Sequence, residues 1–253
     1  MFRRNIFISF FLIMLFNGAN AQIINVEANR LPEDSLGWKG LVTTNFYTNK
    51  NTSVQYSLDA GSKIQYRKGA SLWLSLNHAR FLFKNTDQLE NQGYQHFRYN
   101  YIWTDLITWE AFTQFQFDQV LRIGFRGLIG TGPKFNLVRK KHTKIAVGTL
   151  YMFEHEKEQG NDIIHNDHRI SAYLSLSWHL LKQLYVQNIT YYQPVIDNFS
   201  DYRVSSGTNL TLDINSKFSF NTGVSLNYDS SPVVDPNIEK FTYTISNGII
   251  FKF

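Results

Sequence analysis

Charged and amide side chains recur at even-numbered positions in the middle of the chain, a spacing that could line one surface of an extended structure. This set consists of Arg98, Glu110, Gln114, Gln116, Asp118, Arg122 and Arg126. Because side chains alternate between the two faces of a β-strand, strands through these residues would present them on one face. A turn centred near Thr104 would place Arg98 opposite Glu110 on neighbouring antiparallel strands. Such a face can select solutes by charge at a constriction, or its charges can pair and fill a narrow interior. Both interpretations stay open.

The strands that would position these residues are indicated by a two-residue alternation of apolar and polar side chains. In "SVQYSLDAGSKIQYR", residues 53–67, apolar Val54, Tyr56, Leu58 and Ile64 alternate with polar residues. This pattern is typical of a strand with one apolar and one polar face. It recurs to the C-terminus, and no segment has a sustained helical period. The chain is therefore predicted to be all-β.

About twelve such segments are predicted along the chain. Their spans are 38–48, 53–66, 70–84, 94–103, 108–118, 120–132, 144–155, 168–180, 183–193, 202–214, 217–229 and 240–253. A tilted membrane-spanning strand needs about 9–11 residues, which these segments provide. An even number of strands returns both chain ends to the same side, as in single-chain bacterial barrels.

The connections between these segments also alternate in length. The short ones are 67–69, 104–107, 181–182 and 215–216, and the long polar ones are 85–93, 154–167, 193–201 and 229–239. Short periplasmic turns and long external loops are typical of outer-membrane barrels. Two connections depart from this alternation, a tight one at 118–119 and a long one at 133–142. The apolar face is predicted to meet lipid, in a transmembrane antiparallel β-barrel of outer-membrane type.

The N-terminal residues "MFRRNIFISFFLIMLFNGANAQ" have the three parts of a secretory signal, including a small-residue cleavage motif that ends at Ala21. We expect a signal peptide over 1–21, a periplasmic lead-in over 22–37 and the barrel over 38–253. The chain has no cysteine, which excludes disulfides and cysteine-based sites. The net charge of +5 comes from scattered basic residues, so nucleic-acid binding is not expected.

Two further groups of residues could do chemistry. The segment "EHEKEQGNDIIHNDH", residues 154–168, carries carboxylates and imidazoles that could bind a divalent cation. Its spacing matches no metal site, so we expect a solvated loop. Ser175, Ser177 and His179 share one face, but they would face the interior, and no nucleophile motif such as G-x-S-x-G is present. No enzymatic activity, metal or cofactor is expected.

One predicted strand is rich in glycine and contains Gly124, Gly127, Gly130 and Gly132. Glycine in a strand allows sharp bending, or lets a bulky side chain of a neighbouring strand fold over it. We expect these glycines to shape the curvature of the barrel. A phosphate-binding loop is a poorer interpretation, because no helix and no Lys-Ser/Thr pair follows.

Residues 96–156, "HFRYNYIWTDLITWEAFTQFQFDQVLRIGFRGLIGTGPKFNLVRKKHTKIAVGTLYMFEHE", resemble the salt-induced outer-membrane protein family, also known as domain of unknown function 481. The matching features are Arg98-Tyr99, Trp109, Leu121-Arg122, Arg126, the glycines Gly127, Gly130 and Gly132, and Glu154. The terminal Phe253 resembles the signature that the outer-membrane insertion machinery recognises. The resemblance implies an outer-membrane β-barrel without assigned activity, and it adds no catalytic residues.

The sequence therefore predicts a monomeric barrel in the bacterial outer membrane, acting as a narrow passive channel for small solutes or ions. The alternative is a non-conducting structural or envelope-stress barrel, or one that binds a partner through its surface loops. An outer-membrane lipid hydrolase is a minor alternative. The expected partners are outer-membrane lipid, the barrel insertion machinery and small solutes or ions.

Overall fold

The computed structural model describes residues 36–50, 52–85, 87–236 and 238–251, without the side chains of 87–90. The predicted signal peptide, most of the lead-in and Phe253 lie outside these described residues. No helix in the described part of the chain is long and apolar enough to cross a membrane.

The described residues form one antiparallel sheet of twelve strands, in which each strand pairs with its neighbours along the chain. The strands are β1 Gly37–Lys50, β2 Val54–Lys68, β3 Ser71–Lys84, β4 Asp87–Ile102, β5 Ile107–Asp118, β6 Ile123–Lys140, β7 Thr143–Glu158, β8 Ile164–His179, β9 Leu184–Pro194, β10 Tyr202–Asp213, β11 Phe218–Asp229 and β12 Phe241–Phe251. The prediction of an all-β, twelve-stranded antiparallel fold is confirmed. The connections that follow odd-numbered strands lie at one end of the sheet, here called the loop end. Those that follow even-numbered strands lie at the opposite end, the turn end.

Three of the predicted long connections are wrong, because strands extend into them. β4 begins at Asp87, within the predicted loop 85–93, and β6 continues to Lys140, through most of 133–142. The predicted loop 154–167 is reduced to the five residues between β7 and β8. Polar side chains suggested loops, but each segment has a backbone ladder with a neighbouring strand that outweighs this composition.

Pro133 lies inside β6, although proline usually interrupts a sheet. The β6–β7 ladder passes directly from the pair Thr131–Tyr151 to the pair Lys134–Gly148. Proline has no backbone N–H to donate, so it fits where one ladder is interrupted. The strand therefore continues past its predicted end at residue 132.

The polarity of the two faces is inverted relative to a water-soluble protein. On the face that is enclosed, the inner face, Glu110 is fully buried and Arg126 is 2% exposed. On the outer face, Ile129 is 60% exposed and Ile249 is 73% exposed. The apolar face therefore looks outwards and the polar face looks inwards, as the alternation in 53–67 predicted.

Aromatic side chains on the outer face form rows near both ends of the sheet. Near the turn end, Trp38, Tyr66, Trp73 and Tyr99 pack in sequence on adjacent strands, with ring centroids 4.6–5.6 Å apart. Near the loop end, Tyr56 stacks on its neighbour on β3. Tyr56 and Tyr66 are about ten residues apart on one strand, or ~33 Å along its axis. If the strands are tilted by about 40° from the barrel axis, the two rows enclose an apolar band ~25 Å tall. This is the height of the apolar band of outer-membrane barrels.

The sheet rolls strongly about its inner face. The Tyr173 hydroxyl of β8 donates a 2.7 Å hydrogen bond to Glu110 of β5, three strands away. Arg203 of β10 contacts Glu154 of β7 at 2.7 Å, again across three strands. Among the described residues, β1 and β12 are not paired with each other. The roll thus brings distant strands together across the interior.

Candidate functional site

Six of the seven charged and amide residues that the sequence singled out lie buried on the inner face of β4, β5 and β6. They are Arg98, Glu110, Gln114, Gln116, Asp118 and Arg126. They share this face because the two-residue alternation is unbroken through β4 and β5. The structure therefore brings these six side chains to one surface.

Glu110 joins the two sides of the rolled sheet. Its carboxylate accepts the Tyr173 hydroxyl at 2.7 Å and contacts the Arg98 guanidinium at 3.4 Å. Arg98 lies directly opposite Phe112 in the ladder, so it reaches Glu110 diagonally instead of directly. The predicted contact is present, with the register shifted from the one that a turn at Thr104 implied.

The amide residues of β5 form a short chain of hydrogen bonds along the inner face. The Gln114 carbonyl lies 2.9 Å from Nδ1 of His96, and its amide donates to Gln116 at 2.7 Å. Asp118 closes the strand by accepting the Leu121 backbone N–H at 3.0 Å. These groups are bonded to one another, which stiffens this wall of the interior.

Arg122 does not lie on the inner face, and its predicted place in strand six is wrong. It occupies the turn before β6 with a φ of 57°. Its guanidinium points to the loop end, where Nε donates to Asp235 of the β11–β12 connection at 3.1 Å. The left-handed conformation of Arg122 interrupts the alternation of side chains one residue before β6 begins. Counting every second residue onwards from β5 therefore places the Arg122 side chain on the wrong face.

Three arginines and three carboxylates form a buried cluster near the loop end, here called the ion network. Its members are Arg126, Glu154, Glu156, Arg169, Arg203 and Asp229. Glu154 receives Arg203 at 2.7 Å, Arg169 at 3.3 Å and Arg126 at 3.7 Å. The charges of the six groups balance. They come from β6, β7, β8, β10 and β11, so the network ties five strands together.

Glu156 and Asp229, the remaining carboxylates of the network, also pair with its arginines. Glu156 contacts Arg126 at 2.6 Å and Arg203 at 3.3 Å. Asp229 accepts Nε of Arg203 at 2.9 Å. Buried charges are tolerated when each is paired and hydrogen-bonded in this way, whereas removal of one partner is strongly destabilising.

Sequence reasoning missed most of the ion network. Residues 154–168 were expected to be a solvated loop, but Glu154 and Glu156 lie on β7 and are buried. A usable signal was present, since Glu154, Glu156 and Glu158 recur at every second residue, a spacing that places them on one face of a strand. Arg169 and Arg203 stood on the polar face of their segments, but no local pattern showed that they meet.

An apolar layer fills the inner face beside the ion network. It consists of Phe112, Leu150, Met152, Tyr173, Ile189 and Tyr191, with Leu128 packed against it. These residues come from β5 to β9, so this side of the interior is packed with side chains.

Two glycines make room for this layer. A Cβ on Gly130 would lie 2.5 Å from the Phe112 ring, and one on Gly148 would lie 2.1 Å from the Tyr173 ring. At Gly132 the backbone of the neighbouring strand leaves no space for a side chain, since a Cβ there would meet the Thr149 carbonyl at 2.3 Å. Gly124 and Gly127 have looser surroundings, with nearest contacts of 3.3 and 3.2 Å.

A cavity of about 250 Å³ lies above the ion network at the loop end. Arg126, Arg169 and Arg203 form part of its floor, and Pro232 and Val233 of the β11–β12 connection line it. Within the described residues, no three His, Asp or Glu side chains are grouped to hold a metal ion. His179 packs on Tyr185 at the turn end, with ring centroids 4.5 Å apart.

We predict that Arg203→Met destabilises the protein by about 3–5 kcal/mol, because Glu154 and Asp229 lose a buried partner. Urea unfolding of the refolded protein, followed by tryptophan fluorescence, measures this loss. Arg139→Met is the control, since its exposed contact with Asp105 at 3.5 Å is expected to contribute less than ~1 kcal/mol. Equal losses in both variants would contradict the assigned role of the network.

Gly148→Ala is expected to lower stability by about 1–3 kcal/mol, because the added methyl group must displace the Tyr173 ring. Gly248→Ala serves as the matched control, since a Cβ there meets no atom within 4 Å. The unfolding midpoint in urea reports both changes. An unchanged midpoint for Gly148→Ala would show that the ring does not lie over this glycine.

The chain is similar to a protein family and to solved porin structures. The family described as "Protein of unknown function, DUF481" matches residues 46–253, and none of the curated proteins matches the chain. Among solved structures, the NanC porin is 11% identical, with 84% of this chain and 99% of that chain covered and a TM-score of 0.47. The KdgM porin is 10% identical, with 85% and 99% covered and a TM-score of 0.44. Since the family match spans most of the chain, the protein belongs to the DUF481 family of unknown function, as the resemblance in its sequence predicted.

Proposed function

We propose that the protein is an integral outer-membrane β-barrel that forms a narrow passive channel for small solutes or ions. One observation carries the channel proposal: part of the polar inner face is partly exposed instead of packed. Lys63 of β2, Asn209 of β10 and Asn221 of β11 are half-buried there, whereas Glu110, Arg126 and Glu154 on the inner face of β5 to β7 are buried. A hydrated polar surface is what lines an aqueous path through a barrel.

The outer face supports the membrane location. It exposes apolar side chains between two aromatic rows, as do barrels whose rings lie at the lipid headgroups. Unpaired backbone groups are costly in hydrocarbon, so the edges of β1 and β12 must pair with each other in the membrane. These two strands run in opposite directions because the strand number is even, which suits antiparallel closure.

The filled side of the interior limits the width of the path. The apolar layer and the ion network occupy the space from β5 to β9 and, near the loop end, reach Arg203 of β10 and Asp229 of β11, with contacts that cross three strands. The remaining path runs along β12, β1 and β2 and along the turn-end part of β10 and β11. A channel restricted in this way passes small solutes or ions and excludes larger ones.

The location is tested by placing a charge on the outer face. Leu174→Arg, at a side chain 46% exposed between the aromatic rows, is expected to destabilise the protein in lipid vesicles by about 2–4 kcal/mol. Asn209→Arg on the inner face is the control, with an expected loss below ~1 kcal/mol. A tolerated Leu174→Arg would contradict the contact between this face and lipid.

The channel is tested by single-channel recording with thiol modification. The chain has no cysteine, so Asn221→Cys and Thr222→Cys each introduce a single thiol, on the inner and outer faces respectively. We expect a charged methanethiosulfonate reagent to reduce the conductance step of Asn221→Cys and to leave that of Thr222→Cys unchanged. Equal responses would contradict a path along β11.

A non-conducting structural barrel is the second candidate, and the packed apolar layer favours it. The same recording separates the two functions. A wild-type protein that inserts into the bilayer without conductance steps would support the structural role and overturn the channel.

A further inference from the structure

The outer face of β1 to β4 carries polar and small residues in the centre of its apolar band. Thr44, Ala60, Ala79 and Gly93 are consecutive partners across the four strands. The adjacent row contains Ser62, Asn77 and Gln95, also consecutive partners. Both rows lie between Tyr56 and Tyr66, and therefore between the two aromatic rows. This region is polar at the depth where lipid is least able to solvate it.

The small residues form the floor of a groove of about 530 Å³ on this outer face. Its border on the side of β5 and β6 is aromatic, formed by Phe115, Phe117 and Phe125. Phe115 and Phe125 are 47% and 43% exposed and stack on each other, with ring centroids 6.2 Å apart. The outer face therefore presents a groove with a ridge directly beside it.

The polar groups in the groove are incompletely bonded. The Asn77 amide donates to Ser62 at 2.9 Å and to Ser75 at 3.1 Å. Within the part of the chain that is described, no donor reaches the Asn77 carbonyl, and the exposed Gln95 amide has no protein partner. Polar groups left without hydrogen bonds in hydrocarbon cost free energy.

A second polar cluster on the outer face shows the contrast. Asn188 of β9 donates to Thr208 at 2.9 Å and to Ser206 at 3.3 Å. Its carbonyl accepts the Thr190 hydroxyl at 3.3 Å. Both ends of this amide are bonded within the chain, so this cluster needs no partner. Asn77 and Gln95 differ in having groups left to bond.

We propose that the groove binds a second copy of this chain, forming a two-fold symmetric dimer in the membrane. An acyl chain offers no hydrogen bonds, whereas the Gln95 amide of one copy can donate to the Asn77 carbonyl of the other. A two-fold contact repeats this bond twice. The aromatic ridge of each copy enters the groove of the other, where the small residues permit close approach of the two sheets. This departs from the monomer that the sequence predicted, and it rests on the outer-membrane location proposed above.

Cysteine crosslinking in the membranes of the producing cells tests the dimer. Phe97→Cys, beside Gln95 on the outer face of β4 and 44% exposed in the wild type, and the control Leu174→Cys, on the outer face of β8, each add the only thiol of the chain and keep Gln95 and Asn77. With a short bifunctional maleimide, we expect a species of twice the monomer mass from Phe97→Cys and none from Leu174→Cys. Crosslinking of Phe97→Cys only to a different protein, or equal dimer yields from both variants, would overturn the proposal. A protein missing from the outer-membrane fraction would instead overturn the location.

Mass measurement of the wild-type protein in mild detergent provides a second test that needs no variant to fold. We expect a dimer, and a purely monomeric wild type would overturn the proposal. Gln95→Leu combined with Asn77→Leu should convert at least nine-tenths of the dimer to monomer. Asn188→Leu, in the self-satisfied cluster, should leave the dimer fraction unchanged, and loss of the dimer in that variant as well would contradict a specific role of the groove.

Discussion

Glu154 receives guanidinium groups from β6, β8 and β10, while its own strand, β7, pairs only with β6 and β8. A buried charge is strongly destabilising unless its partners stay in place, so the sheet must keep the roll that holds β10 against β7. The Tyr173–Glu110 hydrogen bond fixes β8 against β5 in the same way. These contacts across the inner face set the curvature, and the curvature sets how much of the interior remains open.

Much of the fold could be predicted from the sequence, because a two-residue alternation specifies both a strand and its faces. The alternation predicted all twelve strands and placed Glu110 and Arg126 on the buried face. It failed at Arg122, where a left-handed turn breaks the count, and at Glu154 and Glu156, whose polarity suggested a loop. Arg169 and Arg203 were missed as site residues because contacts between strands that are distant in the sheet leave no local signal in the sequence.

The outer face of the sheet is mainly apolar and the inner face mainly polar. The residues that depart from this arrangement carry most of the functional information. Packed apolar residues on the inner face narrow the proposed channel to the side of β10 to β12 and β1 to β2. Unsatisfied polar residues on the outer face mark the surface proposed to meet a second copy. The apolar side chains of the inner face pack against one another. The polar side chains of Asn77 and Gln95 on the outer face are proposed to bond to a second copy.

The five tryptophans of the chain allow a direct test of whether the apolar outer face lies in lipid. Trp38, Trp73, Trp109 and Trp178 lie on the outer face near the turn end, and Trp103 lies in the β4–β5 turn. Their fluorescence should be measured in vesicles of lipids brominated at different depths along the acyl chain. If the outer face lies in lipid, we expect strong quenching by bromine near the headgroups and weaker quenching by bromine at the bilayer centre. Fluorescence that no brominated lipid quenches would contradict the contact between this face and lipid.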